Sequence, residues 1–172
     1  MVRRYRRRIV NKDKYSCEQT IIRTDALNQW PSVPAGTLIG ASRQFKILVV
    51  PPTDQQGMRK VKHLTFSVSN GEWANTSQSE MVYALVYVPS GYSPQNINLP
   101  EPGAAIPMYD ANQYVMSQGV LDFTGGPCRI KSPLSRNLNS GDSIYLIIAT
   151  PYQENPGTDT LLCSVKYAIT LQ

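Results

Sequence analysis

The last twelve residues give the clearest pattern in the chain. Leu161, Cys163, Val165, Tyr167, Ile169 and Leu171 alternate with Leu162, Ser164, Lys166, Ala168 and Thr170, the period of two that marks a strand with one buried face. Seven earlier runs rich in β-branched and aromatic residues read as strands near residues 17 to 23, 43 to 50, 61 to 68, 80 to 88, 114 to 123, 128 to 133 and 143 to 150. No stretch carries the three-and-four spacing of an amphipathic helix. The expected class is all-β, with eight strands.

The connections sharpen this picture. Residues 24 to 42, 51 to 60, 69 to 79, 89 to 113 and 151 to 159 are long and rich in turn formers, and the fourth contains Pro89, Pro94, Pro100, Pro102 and Pro107. Loops of this length in a compact domain usually serve function, so they are expected to form surface and contacts. Asn139-Ser140-Gly141-Asp142, by contrast, is a short turn leading into Ile144-Tyr145-Leu146-Ile147-Ile148. That run is apolar on both faces, as at the centre of a sheet or against a neighbouring subunit. Met81 to Val88 is apolar on both faces as well, and neighbours and loops are expected to cover what a lone sandwich would leave bare. Eight strands with long crossing loops suit a jelly-roll sandwich better than an up-and-down barrel.

Charge divides the chain in two. Residues 1 to 14 hold Arg3, Arg4, Arg6, Arg7, Arg8, Lys12 and Lys14 against Asp13, whereas residues 15 to 172 carry 10 basic and 11 acidic side chains. The net +5 therefore comes entirely from a terminal arm. Guanidiniums this close repel one another and have nothing apolar to bury, so the arm is expected to be disordered until a polyanion neutralises it. Nucleic acid is the expected polyanion, met through its phosphates, with Tyr5 available to stack on a base. A solvated tail or a nuclear-import signal uses the same residues. No apolar h-region follows the arginines, and no run approaches the roughly 18 apolar residues of a membrane span, so no membrane insertion is expected. Residues 15 to 172 are the right size for one domain.

Candidate chemistry is sparse. Cys17, Cys128 and Cys163 are odd in number and widely spaced, with His63 as the sole imidazole, so neither a zinc site nor a disulfide framework is indicated. Cys128 and Cys163 are read as buried free thiols. A Ser-His-Asp triad would have to use His63, and no phosphate-binding glycine loop ends in Gly-Lys. Asp122 and Asp142 have the setting of turn-forming carboxylates, and Gly125-Gly126-Pro127 that of a bend. No enzymatic activity and no cofactor are expected.

The basic arm, the eight strands, the run GVLDFTGGPCRIKSPLSRNLNSGDSIYLII from Gly119 to Ile148 and the ending VKYAITLQ resemble the capsid proteins of circovirus-like viruses, which have small circular single-stranded DNA genomes. The sharpest part is Leu134 to Asp142 followed by the apolar strand. The resemblance implies a jelly-roll domain over residues 15 to 172 that assembles into a 60-subunit icosahedral (T=1) shell. It also implies an arginine-rich arm over residues 1 to 14 that packages single-stranded DNA and directs nuclear import. Location in the virion and the host nucleus follows from it, with a nuclear-import receptor and a cell-surface receptor as further partners.

This arm is shorter than in typical circoviruses, which turns attention to the sheets. Arg129 and Lys131 alternate with Cys128 and Ile130, and Lys166 points away from Cys163, Val165 and Tyr167. In the family the sheet of the first, third, sixth and eighth strands lies toward the interior, which would add His63, opposite Leu64 and Phe66. A solvated face or salt bridges between subunits would use the same cations. The expected nucleic-acid-binding set is thus Arg3, Arg4, Tyr5, Arg6, Arg7, Arg8, Lys12, Lys14, Arg129, Lys131 and Lys166. An RNA-virus capsid subunit would need the same arm. A carbohydrate-binding jelly roll using Trp30 or Trp73 leaves the arginines unexplained, and a monomeric nucleic-acid-binding barrel calls for more aromatics on one face.

Overall fold

The computed structural model describes residues 15–25, 43–70, 80–98, 105–110, 114–122, 126–150 and 160–171. Among them the chain forms nine strands: β1 (Ser16–Asp25), β2 (Arg43–Val50), β3 (Arg59–Asn70), β4 (Glu80–Val88), β5 (Val115–Asp122), β6 (Cys128–Lys131), β7 (Arg136–Leu138), β8 (Ser143–Thr150) and β9 (Thr160–Leu171). The protein is all-β, with two antiparallel sheets facing each other as a sandwich. The expected count of eight is corrected to nine; eight of these lie near the stretches read as strands in the sequence. The ninth, β7, lies inside the stretch that reads as a polar turn, because only Leu138 of its three residues is buried. It pairs with Arg59 to Val61 of β3, while β6 pairs with Thr65 to Val68. The two are pieces of one edge, interrupted from Ser132 to Ser135, where the Ser132 N–H still donates to the Leu64 carbonyl at 2.9 Å.

The first sheet runs in the order β1-β9-β3-β6, with β7 beside β6 on β3; the second runs β2-β8-β4-β5. Alternation sends Val61, Leu64, Phe66 and Val68 of β3 and Leu161, Cys163, Val165 and Tyr167 of β9 inward. They meet Phe45 and Ile47 of β2, Met81 and Leu85 of β4, and Ile144, Leu146 and Ile148 of β8. Each such side chain contributes roughly 1.5–3 kcal/mol on leaving water.

The doubly apolar strands have a cause within the chain itself. The outward side chains Ala84, Val86, Val88, Ile147 and Ala149 form a second buried cluster with Ile97 and Tyr109, which come from the described stretches 93–98 and 105–110. Gln44 fixes this covering segment, donating its amide to the Ile97 carbonyl at 2.7 Å and accepting the Ile97 N–H at 2.6 Å. The Asn98 N–H donates to the Met108 carbonyl at 2.8 Å, and the Gln95 N–H to the Tyr109 hydroxyl at 3.0 Å. Of the neighbours and loops expected to cover the outer face of β4 and β8, the loop contribution is seen: Ile97, Met108 and Tyr109 of the same chain lie on it. Part of the loop read as contact-forming surface is core.

One end of the sandwich is tied by a buried carboxylate. Asp142, 3% exposed, accepts the Tyr87 hydroxyl at 2.7 Å, the Asn139 N–H at 2.7 Å and the Ser90 N–H at 2.9 Å. Its own N–H closes the turn on the Asn139 carbonyl at 3.2 Å, with Gly141 in the left-handed region at φ +80°. A Cβ on Gly141 would run into the side chain of Ser90. Buried Arg59 donates to the Asp142 carbonyl at 3.1 Å and the Pro51 carbonyl at 3.0 Å, so the β2–β3, β4–β5 and β7–β8 connections are joined. Asp142 is a turn-forming carboxylate, as its sequence setting indicates.

Asp142→Ala strands the Tyr87 hydroxyl and two backbone donors, and is expected to lower stability by on the order of 3 kcal/mol. Urea unfolding of the variant measures this directly. The same network sets an alkaline limit: burial, then the bond to Asp142, push the Tyr87 phenol up to about 12 from its ordinary 10. A raised folded-state value means that the contribution is complete below about pH 10 and is lost as pH rises through about 12. Tyr87→Phe is expected to be less stable than wild type at pH 8, with the gap narrowing at pH 11. An unchanged gap would show that the phenol does not titrate with unfolding.

Candidate nucleic-acid interface

On β9, the residues between the buried ones point away from the core, and the register carries that outward face across the first sheet. Lys166 pairs with Thr65 of β3, and Thr65 pairs with Lys131 of β6, so the two lysines flank one threonine in a single row. Their backbones are about 10 Å apart, twice the strand spacing. In the next row Ser164, Ser67 and Arg129 stand side by side. On the other side of the lysine row, Ala168 pairs with Lys62, and beyond it Thr170 pairs with Lys60. Lys60, Lys62, Arg129, Lys131 and Lys166 therefore share one face. Arg129, Lys131 and Lys166 are exposed, and Lys60 and Lys62 are half-buried. Among the side chains described on this face none is acidic, since Glu18 pairs with Tyr167 and so takes the opposite face.

A bulge in β3 adds to this face. Lys62 pairs with Ala168 and Thr65 with Lys166, leaving His63 and Leu64 together opposite Tyr167. The extra residue is His63, exposed and in the left-handed region at φ +55°. Leu64 then returns to the core at 0% exposed. His63 thus lies opposite Leu64 and Phe66, on the face of the lysines.

The start of the described chain lies on the same side. Tyr15 places its ring under Lys62, with Nζ 4.6 Å from the ring centroid. Residues 1 to 14 join the domain at this tyrosine. Their members of the expected set, Arg3, Arg4, Tyr5, Arg6, Arg7, Arg8, Lys12 and Lys14, lie outside the described residues, as do Trp30 and Trp73. Arg129, Lys131 and Lys166 are brought together on one surface. Lys60, Lys62 and Tyr15 complete it and are absent from the sequence reading. The signal for the lysines is the Lys60-Val61-Lys62 alternation, which a strand start at residue 61 cuts in half.

Other cations and thiols lie elsewhere. Arg59 is inward, and burial pulls its guanidinium below the ordinary value despite Tyr167 and Asp142. Arg136 sits over the Tyr87 ring, 5.2 Å from the centroid. Cys163 is buried, and burial pushes its thiol up to about 11. Cys128, expected to be buried, is half-buried at the end of β6, with its thiol donating to the Asp122 carbonyl at 2.8 Å. Comparison with protein-family models and with curated proteins finds no match to this chain.

Five like charges on one sheet face with no described acid among them repel one another. The melting temperature is expected to rise by a few degrees between about 20 and about 300 mM salt, as screening shortens the Debye length. Changing Lys131 and Lys166 to Gln should remove much of that rise and leave the inward faces of β6 and β9 unaltered. A salt response identical in both proteins would mean that the cations are already compensated.

Proposed function

We propose that this chain is the shell-forming subunit of a small virus and packages single-stranded DNA, using a basic arm and a basic sheet face together. The observation that carries the reading is the common side of the five sheet cations and Tyr15, where the arm begins. Arginine and lysine arrayed this way neutralise phosphates without reading bases, which suits a protein that must hold an entire genome. Seven cations from the arm and five from the sheet also answer the shortness of the arm.

The strand pairing supports a jelly roll. With short β7 set aside, the eight strands pair first with eighth, second with seventh, third with sixth and fourth with fifth. That is the pattern of one long antiparallel hairpin rolled on itself, closed by the β9–β3 and β8–β4 ladders. In this arrangement the basic face belongs to the β1-β9-β3-β6 sheet, which in circovirus-like capsids faces the interior. Self-assembly draws support from the resemblance and from exposed Ile21, Leu48, Tyr92, Ile106, Val120, Leu134 and Leu162.

Sedimentation at micromolar concentration is expected to give a species far larger than 19.2 kDa, and electron micrographs uniform small shells. A stable monomer across salt and pH would leave a solitary nucleic-acid-binding or carbohydrate-binding module instead. Deleting residues 1 to 8 should leave the domain folded and lower the nucleic-acid content of the shells, read as an absorbance ratio. Five arginines alone give a slope of log affinity against log salt near about −3.5 for single strands, and the sheet cations steepen it toward about −7. Changing Arg129, Lys131 and Lys166 to Gln should flatten the slope by about 2. An unaltered slope would leave binding to the arm alone, and RNA packaged in place of DNA would redirect the reading to an RNA virus.

A further inference from the structure

The edge strands of the two sheets are not equally protected. β2 holds the covering segment through Gln44, on the Ile97 peptide, and through Lys46, whose ammonium donates to the Pro94 carbonyl at 2.8 Å. At the opposite edges β5 and the β6 end are tied to each other: the Cys128 thiol donates to the Asp122 carbonyl at 2.8 Å and the Ser132 hydroxyl to the Met116 carbonyl at 3.2 Å. β1 differs. It pairs with β9 over all 10 of its residues, and among the described residues no strand lies on its other edge. Ser16 to Ile21 are exposed on both faces, and Ile22 is the first to pack against the core. A long edge that buries so little is a template for another strand.

We propose that β1 is a docking edge for the β1 of a second copy of this chain, paired antiparallel about a two-fold axis at Ile21. Charge favours this occupant over the arginine arm. The edge lies beside the basic face, which repels a basic strand, whereas Ser16 to Ile22 contain one carboxylate, Glu18, and no cation. Hydrophobicity fixes the register. Ile21 is 69% exposed and pairs with Ser164, which puts it diagonally beside Leu162, 43% exposed, on the same face. Opposed residues of an antiparallel pair share a face, so an axis perpendicular to the sheet must pass through a residue position rather than between two. On Ile21 it sets the two isoleucines against each other and covers the most exposed aliphatic side chain of the first sheet. The same register sets Glu18 opposite Thr24, Gln19 opposite Arg23 and Cys17 opposite Asp25, so no like charges are directly opposed. Both basic faces then lie on one side of a single continuous sheet. The inference goes beyond the nucleic-acid reading and holds for a dimer as for a larger shell.

The test is cross-linking of the full-length protein in a Cys17→Ser background, oxidised by air with copper-phenanthroline and read as dimer on a non-reducing denaturing gel, with Cys17→Ser alone as the blank. Opposed Ile21→Cys thiols have Cα atoms about 4.5–5.5 Å apart, inside disulfide range, and are expected to give dimer. Gln19→Cys thiols are four residues out of register, about 13 Å apart, and Leu162→Cys thiols lie a strand behind; both should stay monomeric on the gel. Ile21→Lys sets two ammoniums against each other and should weaken self-association about tenfold in sedimentation, with the circular dichroism of wild type. Mixing it with Ile21→Glu should restore association, because opposite charges then meet across the axis. Equal cross-linking at all three positions overturns the pairing, as does undiminished association of Ile21→Lys. No cross-link at position 21 in protein that sediments as a large species overturns it too and leaves the shell reading standing. A protein that neither sediments as an oligomer nor cross-links overturns both.

Discussion

The ladder between β3 and β9 joins the two longest strands at the middle of the first sheet, so its register decides which side chains meet the core and which meet solvent. Ten pairings hold it, from Arg59 opposite Leu171 to Asn70 opposite Leu161, with a shift between Lys62 and Thr65. A slip of β9 by one residue against β3 would turn Val165 outward and bring Lys166 into the sandwich beside Phe66, at the cost of burying an unpaired ammonium. The basic surface and the hydrophobic core are therefore two readouts of one register. The bulge lets both survive a change of phase within β3: Val61 and Lys62 keep their places before it, Leu64 and Thr65 theirs after it.

The two sheets solve the problem of their outer faces differently. The first leaves its outer face open, with the cations Arg129, Lys131 and Lys166 exposed alongside Ile21 and Leu162. The second is apolar on both sides along β4 and β8, and Ile97, Met108 and Tyr109 lie over it. This difference gives the sandwich a charged side and a sealed side, and the arm joins it on the charged one.

The strands were legible in the sequence wherever burial is one-sided and the run is long. β9 shows this best, because buried Leu161, Cys163, Val165 and Tyr167 alternate with more exposed neighbours without a break. β7 was hidden because three residues with one buried leucine look like any polar turn, and the partner that makes them a strand lies in β3, far away along the chain. Lys60 and Lys62 were hidden for a related reason: the bulge breaks alternation at His63, and a pattern read backward from Phe66 loses phase there. Arg129, Lys131 and Lys166 escaped this difficulty because their strands are regular. The second face of β4 and β8 was visibly apolar, but hydropathy alone does not distinguish a covering loop from a covering subunit. Ile97 and Tyr109 stand among prolines and asparagines, and only the grip of Gln44 reveals their part in a core.

That grip has a consequence for local opening. Gln44 holds the Ile97 peptide with one donor and one acceptor, as a neighbouring strand would, so a side chain supplies the rung that the backbone of the covering segment does not. Two bonds that share one amide break together, and Ile97 leaves its site when they do. The segment and the face beneath it then behave as a separate cooperative unit whose opening free energy lies below that of the whole sandwich. What such an opening exposes is a flat patch of Ala84, Val86, Ile147 and Ala149, the kind of surface on which β-proteins aggregate. Gln44, with Lys46 donating to the Pro94 carbonyl two residues further along the strand, is thus what keeps that patch covered.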